Sequence, residues 1–283
     1  MRLGDVLQNT VARIKSDWSE LDAQLILAHA LDKPRTWILA HPDTPLTAPQ
    51  LDSVQQAVSR LEAGELLPHV IGRWEFFGLD FDVTPDVLIP RPETELLVER
   101  ALAWLQSTPE ARSVADIGTG SGCIAVSLAV HVPELRVMAT DISSKALAVA
   151  HRNARKFHVE HQIEFAECDL LPSSNDLRSS SFDLICANLP YIPTKILHSL
   201  VVYEREPTLA LDGGADGLDL IRRLLALAPK WLAPGGLMLL EIESTLGAPA
   251  LSLACDSFSE AEIHLRQDLT RRDRLLEIQL SNI

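Results

Sequence analysis

The fold of this chain follows from one stretch, Ala115-Asp116-Ile117-Gly118-Thr119-Gly120-Ser121-Gly122-Cys123, in which an apolar strand pattern turns into a helix pattern. Glycines at 118 and 120 allow a tight turn and a close approach of the backbone to a ligand, because no Cβ stands in the way. Nucleotide cofactors of several kinds use such a turn. A tight strand-to-helix turn without a ligand is the alternative that this stretch alone leaves open.

Strands and helices alternate from Ser113 onward, which is typical of a doubly wound parallel sheet. The predicted strands are 113–117, 135–140, 163–167, 182–187, 237–242, 262–266 and 274–280. The turn between the last two is too short for a crossover helix, so this pair should be antiparallel. The pattern predicts an α/β fold, and a Rossmann-like parallel sheet with an antiparallel final hairpin resembles the class I methyltransferase fold.

Residues 1–67 predict a small α-helical domain. Apolar residues repeat at helical spacing in three segments, and Thr47 or Thr44 can cap the third, which has Pro49 near its first turn and ends at Gly64. Alternating residues around a glycine turn in 74–83 then predict a β-hairpin. We therefore expect a helical partner-recognition domain over 1–67, a hairpin linker over 68–92 and a cofactor-binding domain over 93–283.

Composition excludes several classes of protein. The 283 residues are 47% hydrophobic and 23% charged, which fits a globular chain with a real core. No apolar run approaches the ~20 residues that span a bilayer, and acidic residues from Asp5 onward interrupt any secretory signal, so a cytoplasmic protein is expected. The four cysteines are scattered and are expected to be buried free thiols. No metal site is expected.

The net charge of −14 argues against stable binding of nucleic acid. Proteins that hold a long stretch of nucleic acid usually show a basic stripe, because neutralised phosphates supply most of the affinity. No such stripe is visible in the sequence. The serine-rich stretches 173–174 and 179–181 predict only a solvated loop.

Two further strand ends carry carboxylates that fit a cofactor. Asp141 lies ~20 residues past the glycines, where a carboxylate can accept hydrogen bonds from both ribose hydroxyls of an adenosine. Asp169 and Leu170 follow the third strand and could hydrogen-bond an adenine amino group and cover the ring. The glycines and Asp141 alone do not separate NAD from S-adenosylmethionine.

The tetrapeptide Asn188-Leu189-Pro190-Tyr191 follows the fourth strand and indicates the reaction class. Asn-x-Pro-Tyr at this place resembles the motif of methyltransferases that act on planar nitrogens of amides or of base amino groups. The lone pair of such a nitrogen is delocalised, so it attacks a methyl sulfonium poorly. The Asn188 side-chain oxygen and the Pro190 carbonyl can accept its N–H groups and favour positive charge there, and the Tyr191 ring can pack on the planar group.

The whole chain resembles the release factor glutamine methyltransferase family, also called HemK or PrmC. Besides the glycine-rich turn and Asn188-Leu189-Pro190-Tyr191, the resemblance is carried by the segments 71–81, 88–95, 206–218 and 232–242. The family usually has proline where this chain has Leu189, which leaves both proposed acceptors for the amide in place. The rRNA dimethyladenosine transferases share Asn-Leu-Pro-Tyr.

The resemblance implies a methyl transfer from S-adenosyl-L-methionine, giving S-adenosyl-L-homocysteine, to the N5 amide nitrogen of the glutamine in the Gly-Gly-Gln loop of a class-1 peptide chain release factor. It also implies that the helical domain helps to hold this partner; we expect the enzyme to be a monomer. The cofactor contacts would be Gly118, Thr119, Gly120, Ser121, Gly122, Asp141, Asp169, Leu170 and Asn188. The acceptor would lie against Asn188, Leu189, Pro190 and Tyr191, and Arg91, Glu93 and Thr94 would help to close the site.

Three other functions remain open at this point. An N6-adenine methyltransferase acting on RNA or DNA would use the same Asn188 chemistry but predicts a basic channel. An NAD-dependent oxidoreductase explains the glycines and Asp141 but not the tetrapeptide. A non-enzymatic interaction protein with an inactive methyltransferase fold is disfavoured, because Asn188, Pro190 and Tyr191 are all present.

Overall fold

The computed structural model describes residues 1–172, 181–200 and 202–281. The chain divides into two units, Met1–Arg73 and Trp74–Ile283. Most of the predicted serine-rich loop lies outside the described residues. Among the helices in the described parts, none is both long and apolar enough to cross a membrane.

The first unit is helical. Its helices are α1 (Leu3–Arg13), α2 (Ser19–Leu31), α3 (Arg35–Ala40), α4 (Ala48–Glu62) and α5 (Leu67–Ile71). Thr47 caps α4: its hydroxyl accepts from Gln50 N at 3.4 Å, while the Gln50 side chain accepts from Thr47 N at 3.0 Å. The sequence predicted α1, α2 and α4, but not α3 and α5, because helices of five or six residues are too short to show a hydrophobic period.

A two-stranded hairpin follows, formed by β1 (Arg73–Phe76) and β2 (Leu79–Asp82). The turn between them contains Gly78, at φ +72°, and it confirms the predicted hairpin. Phe76 and Phe81 are buried in the core of the second unit. The contacts of the fold therefore group this hairpin with the second unit, whereas the boundaries at residues 67 and 92 stay a prediction.

The second unit contains a seven-stranded sheet. Its strands are β3 (Ser113–Ile117), β4 (Arg136–Asp141), β5 (Ile163–Glu167), β6 (Phe182–Ala187), β7 (Leu232–Glu241), β8 (Glu262–Gln267) and β9 (Asp273–Gln279). Its helices are α6 (Glu95–Ser107), α7 (Cys123–His131), α8 (Ser144–Lys156), α9 (Thr194–Leu197), α10 (Asp219–Leu227) and α11 (Gly247–Ser257).

The strand order is β5-β4-β3-β6-β7-β9-β8. The five strands β3 to β7 run parallel to one another, while β9 is antiparallel to both β7 and β8. The predicted α/β class and the antiparallel final hairpin are confirmed. β7 begins at Leu232, five residues before the predicted start, because a register shift lets Phe182 pair with Leu232 across the Pro-Gly-Gly segment.

Each face of the sheet carries its own core. Alternate residues of β3 separate the two: Val114 belongs to one apolar cluster, whereas Ala115 and Ile117 belong to the other. Helices α6, α7 and α8 cover the first face, while α10 and α11 cover the second.

All four cysteines are free, but only Cys186 is fully buried; Cys123 and Cys168 are half-buried and Cys255 is exposed, so the predicted burial holds for one of them.

A buried asparagine on α8 connects the hairpin to the glycine-rich loop. The Asn153 side chain accepts from Asp82 N at 2.8 Å and donates to Asp82 O at 3.0 Å and to Ser121 O at 2.8 Å. Asn153 is 0% exposed. Three backbone groups on two segments thus depend on one side chain.

We predict that Asn153→Ala lowers the free energy of unfolding by roughly 2–4 kcal/mol, because it leaves these backbone groups without partners in a buried place. Urea unfolding measures the change. Arg155→Ala, at an exposed position of the same helix, should change it by less than about 0.5 kcal/mol. Equal effects of the two substitutions would contradict this role of Asn153.

Candidate active site

A cavity of about 580 Å³ opens at the carboxyl ends of β3, β4 and β6. Parallel strands place these ends at one edge of the sheet, where ligands of open α/β sheets bind. The predicted site residues that line the cavity are Gly118, Thr119, Gly120, Ser121, Asp141, Asp169, Leu170, Asn188, Leu189 and Pro190. Gly122 and Tyr191 are not among its lining residues.

The glycine-rich loop between β3 and α7 has three left-handed residues. Gly118, Gly120 and Gly122 have φ values of +72°, +55° and +80°, which other residues adopt only with strain. A Cβ on Gly120 would have no protein atom closer than Gly118 O at 4.0 Å, whereas a Cβ on Gly122 would lie 3.0 Å from Ala150 Cβ on α8. Gly120 therefore leaves space at the cavity wall, and Gly122 permits close packing of α8.

Asp116 stabilises this loop through two hydrogen bonds. Its Oδ2 accepts from the Thr119 hydroxyl at 2.6 Å and from Ala125 N at 3.1 Å, in the first turn of α7. Its Oδ1 is buried without a hydrogen-bond partner among the described residues. Burial raises the pKa of Asp116 to about 6, against the two hydrogen bonds that favour its charged form.

Asp141 ends β4 and faces the same loop. Its Oδ2 accepts from Gly120 N and its Oδ1 from Ser143 N, both at 2.9 Å. Burial raises the pKa of this carboxyl group, while the backbone N–H groups oppose the shift. Each oxygen keeps acceptor capacity, since a carboxylate oxygen has two lone-pair sites.

Asp169 and Leu170 follow β5 on the cavity wall. Asp169 Oδ2 forms an ion pair with Arg223 on α10 at 2.6 Å, and both side chains are half-exposed. Leu170 is buried, and its carbonyl accepts from the Thr140 hydroxyl at 2.6 Å. Oδ1 of Asp169 is thus the carboxylate oxygen left for a ligand.

Asn188 lies directly after β6, and its amide is held by a neighbour. Asn188 Nδ2 donates to Thr94 Oγ1 at 2.9 Å, and Thr94 is 2% exposed. Because Nδ2 is engaged, Oδ1 remains as the acceptor that this amide offers. Leu189 is buried, with its Cδ2 3.1 Å from the position that a Cβ on Gly118 would take, so its side chain covers the glycine-rich turn.

Pro190 and Tyr191 are braced by the segment before α10. Gly213 N donates to Ile192 O at 2.8 Å, and Ile192 N donates to Leu211 O at 3.0 Å. A Cβ on Gly213 would lie 2.8 Å from Pro190 O and 2.6 Å from Tyr191 Cα. Only a glycine therefore fits behind this loop without displacing the Pro190 carbonyl.

The Tyr191 side chain is directed to Glu241, the last residue of β7. Its hydroxyl donates to Glu241 Oε1 at 3.4 Å, and burial raises the pKa of Tyr191. The structure thus places the phenol in a buried polar cluster; the predicted packing of its ring on the acceptor stays a prediction.

A buried carboxylate ties two walls of the cavity together. The Glu206 side chain is 0% exposed; it pairs with Arg91 and accepts from Ile89 N at 2.8 Å. The tie joins the segment before α6 to the segment that leads into Pro207–Ala210, and both line the cavity. The predicted role of Arg91 in closing the site stays a prediction.

The sequence reasoning assigned no role to Asp116, Glu206 or Glu241. Two of them carried a usable signal, because Asp116 and Glu241 are carboxylates inside or at the end of apolar strands, as Asp141 is. Glu206 lies in a loop, and only the fold brings it to Arg91. In the described ranges, no group of three or more His, Cys, Asp and Glu side chains is placed to hold a metal ion.

Comparison with known proteins agrees with this geometry. Residues 5–72 match the PrmC N-terminal domain, and residues 93–204 match the methyltransferase small domain. The chain is 42% identical to a release factor glutamine methyltransferase of Moorella thermoacetica, over 97% of each chain. It is 40% identical to one of Geobacter sulfurreducens, over 88% of this chain and 84% of that protein. A methyltransferase of Pyrococcus furiosus is 17% identical, with a TM-score of 0.52 over 79% of this chain and 97% of that one, and shares the fold.

We predict that Asp116 makes the fold less stable as the pH rises. The pKa of about 6 in the folded state lies above the ordinary value of 3.8 for an aspartate, so the folded state binds more protons between these values and stability falls as the pH rises through them. The cost above pH 6 is roughly 3 kcal/mol, from about two pKa units.

Asp116→Asn removes this titration, so the wild type should lose stability relative to the variant between pH 4 and pH 7. Chemical denaturation at a series of pH values measures the difference. Parallel stability curves for the two proteins would contradict the burial of a titrating carboxyl group at position 116.

Proposed function

The chain belongs to the release factor glutamine methyltransferase family, and we propose that it methylates the N5 amide nitrogen of the glutamine in the Gly-Gly-Gln loop of class-1 peptide chain release factors. The methyl donor is S-adenosyl-L-methionine. The observation that carries the proposal is the position of Asn188: it lies on the wall that the glycine-rich loop also lines, with Nδ2 held by Thr94 and Oδ1 left to accept.

The cavity wall fits this donor. The open side of Gly120 gives a ligand access to the backbone, and Asp141 retains acceptor capacity for two ribose hydroxyls. Asp169 Oδ1 and the buried Leu170 would hold the adenine. When bound, S-adenosyl-L-methionine supplies an electrophilic methyl group.

Asn188 and Pro190 orient the acceptor. The two N–H groups of a glutamine amide need two acceptors, and the Asn188 Oδ1 and the Pro190 carbonyl supply them. Hydrogen bonds to these oxygens become stronger as positive charge develops on the nitrogen, so they favour the transition state over the ground state. Gly213 keeps the Pro190 carbonyl in place from behind.

Chemistry of this kind depends on positioning. A near-attack geometry holds the reacting atoms roughly 3–3.5 Å apart and in line. The Glu206 tie and the Thr94 hydrogen bond fix the two sides of the cavity that would meet the acceptor.

A protein acceptor agrees better with this chain than adenine does. The net charge of −14 disfavours the long phosphate contacts of an RNA or DNA substrate, and the relatives at 40–42% identity are named for release factors. The helical unit Met1–Arg73 would hold the release factor. The monomeric state and the cytoplasmic location stay predictions.

A methyl-transfer assay with S-adenosyl-L-methionine and a purified class-1 release factor tests the proposal. Intact and peptide masses should show one added methyl group, on the glutamine of the Gly-Gly-Gln loop. Asn188→Ala should lower kcat by about 100-fold or more, the order of loss when one preorganised polar contact to a transition state is removed. The affinity for S-adenosylhomocysteine should change far less.

Pro190→Ala is the matched control, because it keeps the backbone carbonyl. Its loss of kcat should be well below that of Asn188→Ala. An unmodified release factor would overturn the protein acceptor, and an equal loss of cofactor affinity and turnover in Asn188→Ala would reduce Asn188 to a cofactor contact.

We also predict different effects for two glycines of the loop. Gly120→Ala and Gly122→Ala share the strain of a left-handed backbone, roughly 1–2 kcal/mol. Gly120→Ala should in addition weaken the binding of S-adenosylhomocysteine by about tenfold or more, worth ~1.4 kcal/mol, because its methyl group enters the space of the ligand. Gly122→Ala should lose more stability, because its methyl group meets Ala150.

Calorimetric titration and thermal unfolding separate these effects. Tight binding of S-adenosylhomocysteine by Gly120→Ala would show that the cofactor does not approach the loop at this residue.

A further inference from the structure

Thr94, the hydrogen-bond partner of Asn188, has a hydroxyl hydrogen that needs an acceptor of its own. Thr94 Oγ1 accepts from Asn188 Nδ2 at 2.9 Å, so one lone pair of the hydroxyl is used. Thr94 is 2% exposed, and a buried hydroxyl group needs an acceptor for its hydrogen. The nature of that acceptor decides which way the Thr94 hydroxyl points.

Glu241 is the group next to this hydroxyl. It is 2% exposed, its Oε1 accepts from the Tyr191 hydroxyl at 3.4 Å, and the Thr94 side chain is among the groups that lower its pKa. Its Oε2 is buried without a hydrogen-bond partner among the described residues. A buried carboxyl oxygen with spare capacity thus lies beside the hydroxyl that holds Asn188.

We propose that Glu241 is a positioning residue, whose carboxylate takes the Thr94 hydroxyl hydrogen and thereby fixes the Asn188 amide with Oδ1 toward the acceptor. A carboxylate only accepts hydrogen bonds. It therefore orients Thr94 so that Oγ1 receives Nδ2 of Asn188. When Glu241 is protonated, it can donate to Thr94, and the hydroxyl hydrogen is free to turn to Asn188. The amide then rotates, and its NH2 group faces the N–H groups of the glutamine.

Burial, modified by the neighbouring groups, brings the pKa of Glu241 close to neutral. Burial raises its pKa to about 7, the neighbouring Glu93 adds to the rise, and Arg274 on β9 opposes it, together with the Thr94 and Tyr191 hydroxyls. The Cys123 thiol at the start of α7 interacts electrostatically with Glu241. Burial raises the pKa of this thiol to about 12 and the acidic neighbours add to the rise, so the thiol stays neutral. The carboxylate form therefore prevails above pH 7.

This inference rests on the proposed function, and the test begins with the wild type. The kcat for methylation of a release factor should rise as the pH increases through about 7, and Glu241→Gln should remove this inflection. At pH 8 the variant should lose about tenfold or more in kcat. The KM values for the release factor and for S-adenosylmethionine should stay within about twofold, because the path from Glu241 through Thr94 to Asn188 acts on the orientation of the bound acceptor.

Glu243→Gln is the matched control. This carboxylate lies two residues further along, where it accepts from the Ser244 hydroxyl at 2.8 Å and from Thr245 N at 2.7 Å. These contacts do not involve Thr94 or Asn188. It should keep the inflection and the kcat of the wild type. Thr94→Val should lower kcat as Glu241→Gln does, and Thr94→Ser, which restores the hydroxyl, should recover most of it.

An infrared titration of the protein alone gives a readout apart from turnover. The wild type should show a carboxylic acid that ionises near pH 7, and Glu241→Gln should lack it. Thr94→Val should keep this group but shift its ionisation to higher pH, because the Thr94 hydroxyl lowers the pKa of Glu241. Thermal unfolding checks that each variant is folded.

The outcomes separate the two proposals. If the wild type does not methylate the release factor, the proposed function fails, whatever the variants do. If the wild type is active but Glu241→Gln keeps the inflection, or raises KM for the release factor with an unchanged kcat, the positioning role of Glu241 is overturned and the proposed function stands.

Discussion

Strand β3 has a parallel neighbour on each side, β4 and β6, and this arrangement determines where everything else in the second unit can act. After β3 the chain forms α7 on one face, and after β6 it forms α10 on the other face, so a crevice lies at the carboxyl ends. The glycine-rich loop, Asp141 and Asn188 meet there because each directly follows one of these strands. The predicted cofactor site and the predicted acceptor site thus share one edge of one sheet.

Polar groups with structural roles surround this edge. Asp116 accepts a hydrogen bond from Thr119 in the glycine-rich loop, and Asn153 on α8 donates to Ser121 O. Glu206 accepts from Ile89 N and forms an ion pair with Arg91. Each is buried, and each satisfies backbone or hydroxyl groups that would otherwise lie unpaired in a low-dielectric interior. The shape of the cavity therefore depends on hydrogen bonds, whereas the apolar clusters on the two faces hold the sheet that carries it.

Two of the buried carboxyl groups, Asp116 and Glu241, have raised pKa values, to about 6 and about 7. Both retain an oxygen without a partner among the described residues, and both therefore cost the fold stability when they ionise. Such costs are concentrated at sites where a group must be poised near the working pH. Glu241 reaches Asn188 only through Thr94, so its effect on chemistry depends on how that hydroxyl is oriented.

The sequence by itself determined the strands, the turn chemistry and the acceptor tetrapeptide. β3, β5 and β6 have the predicted bounds. β3 and β6 are buried parallel strands rich in apolar residues that end at glycine or asparagine, whereas β5 lies at the edge of the sheet and combines apolar residues with glutamates. It also placed the cofactor and acceptor residues at strand ends, and all of them except Gly122 and Tyr191 line the cavity. The sequence did not predict the short helices α3 and α5, because a hydrophobic period can be recognised only over more residues than these helices have.

Only the tertiary structure decided which side chains meet across the chain. Glu206 lies 115 residues from Arg91, and Asn188 lies 94 residues from Thr94. The strand order β7-β9-β8, in which the last strand pairs on both sides, likewise has no local signal. Hydrophobic periodicity and turn residues report the neighbours along the chain, whereas these contacts arise from packing, which depends on all elements at once.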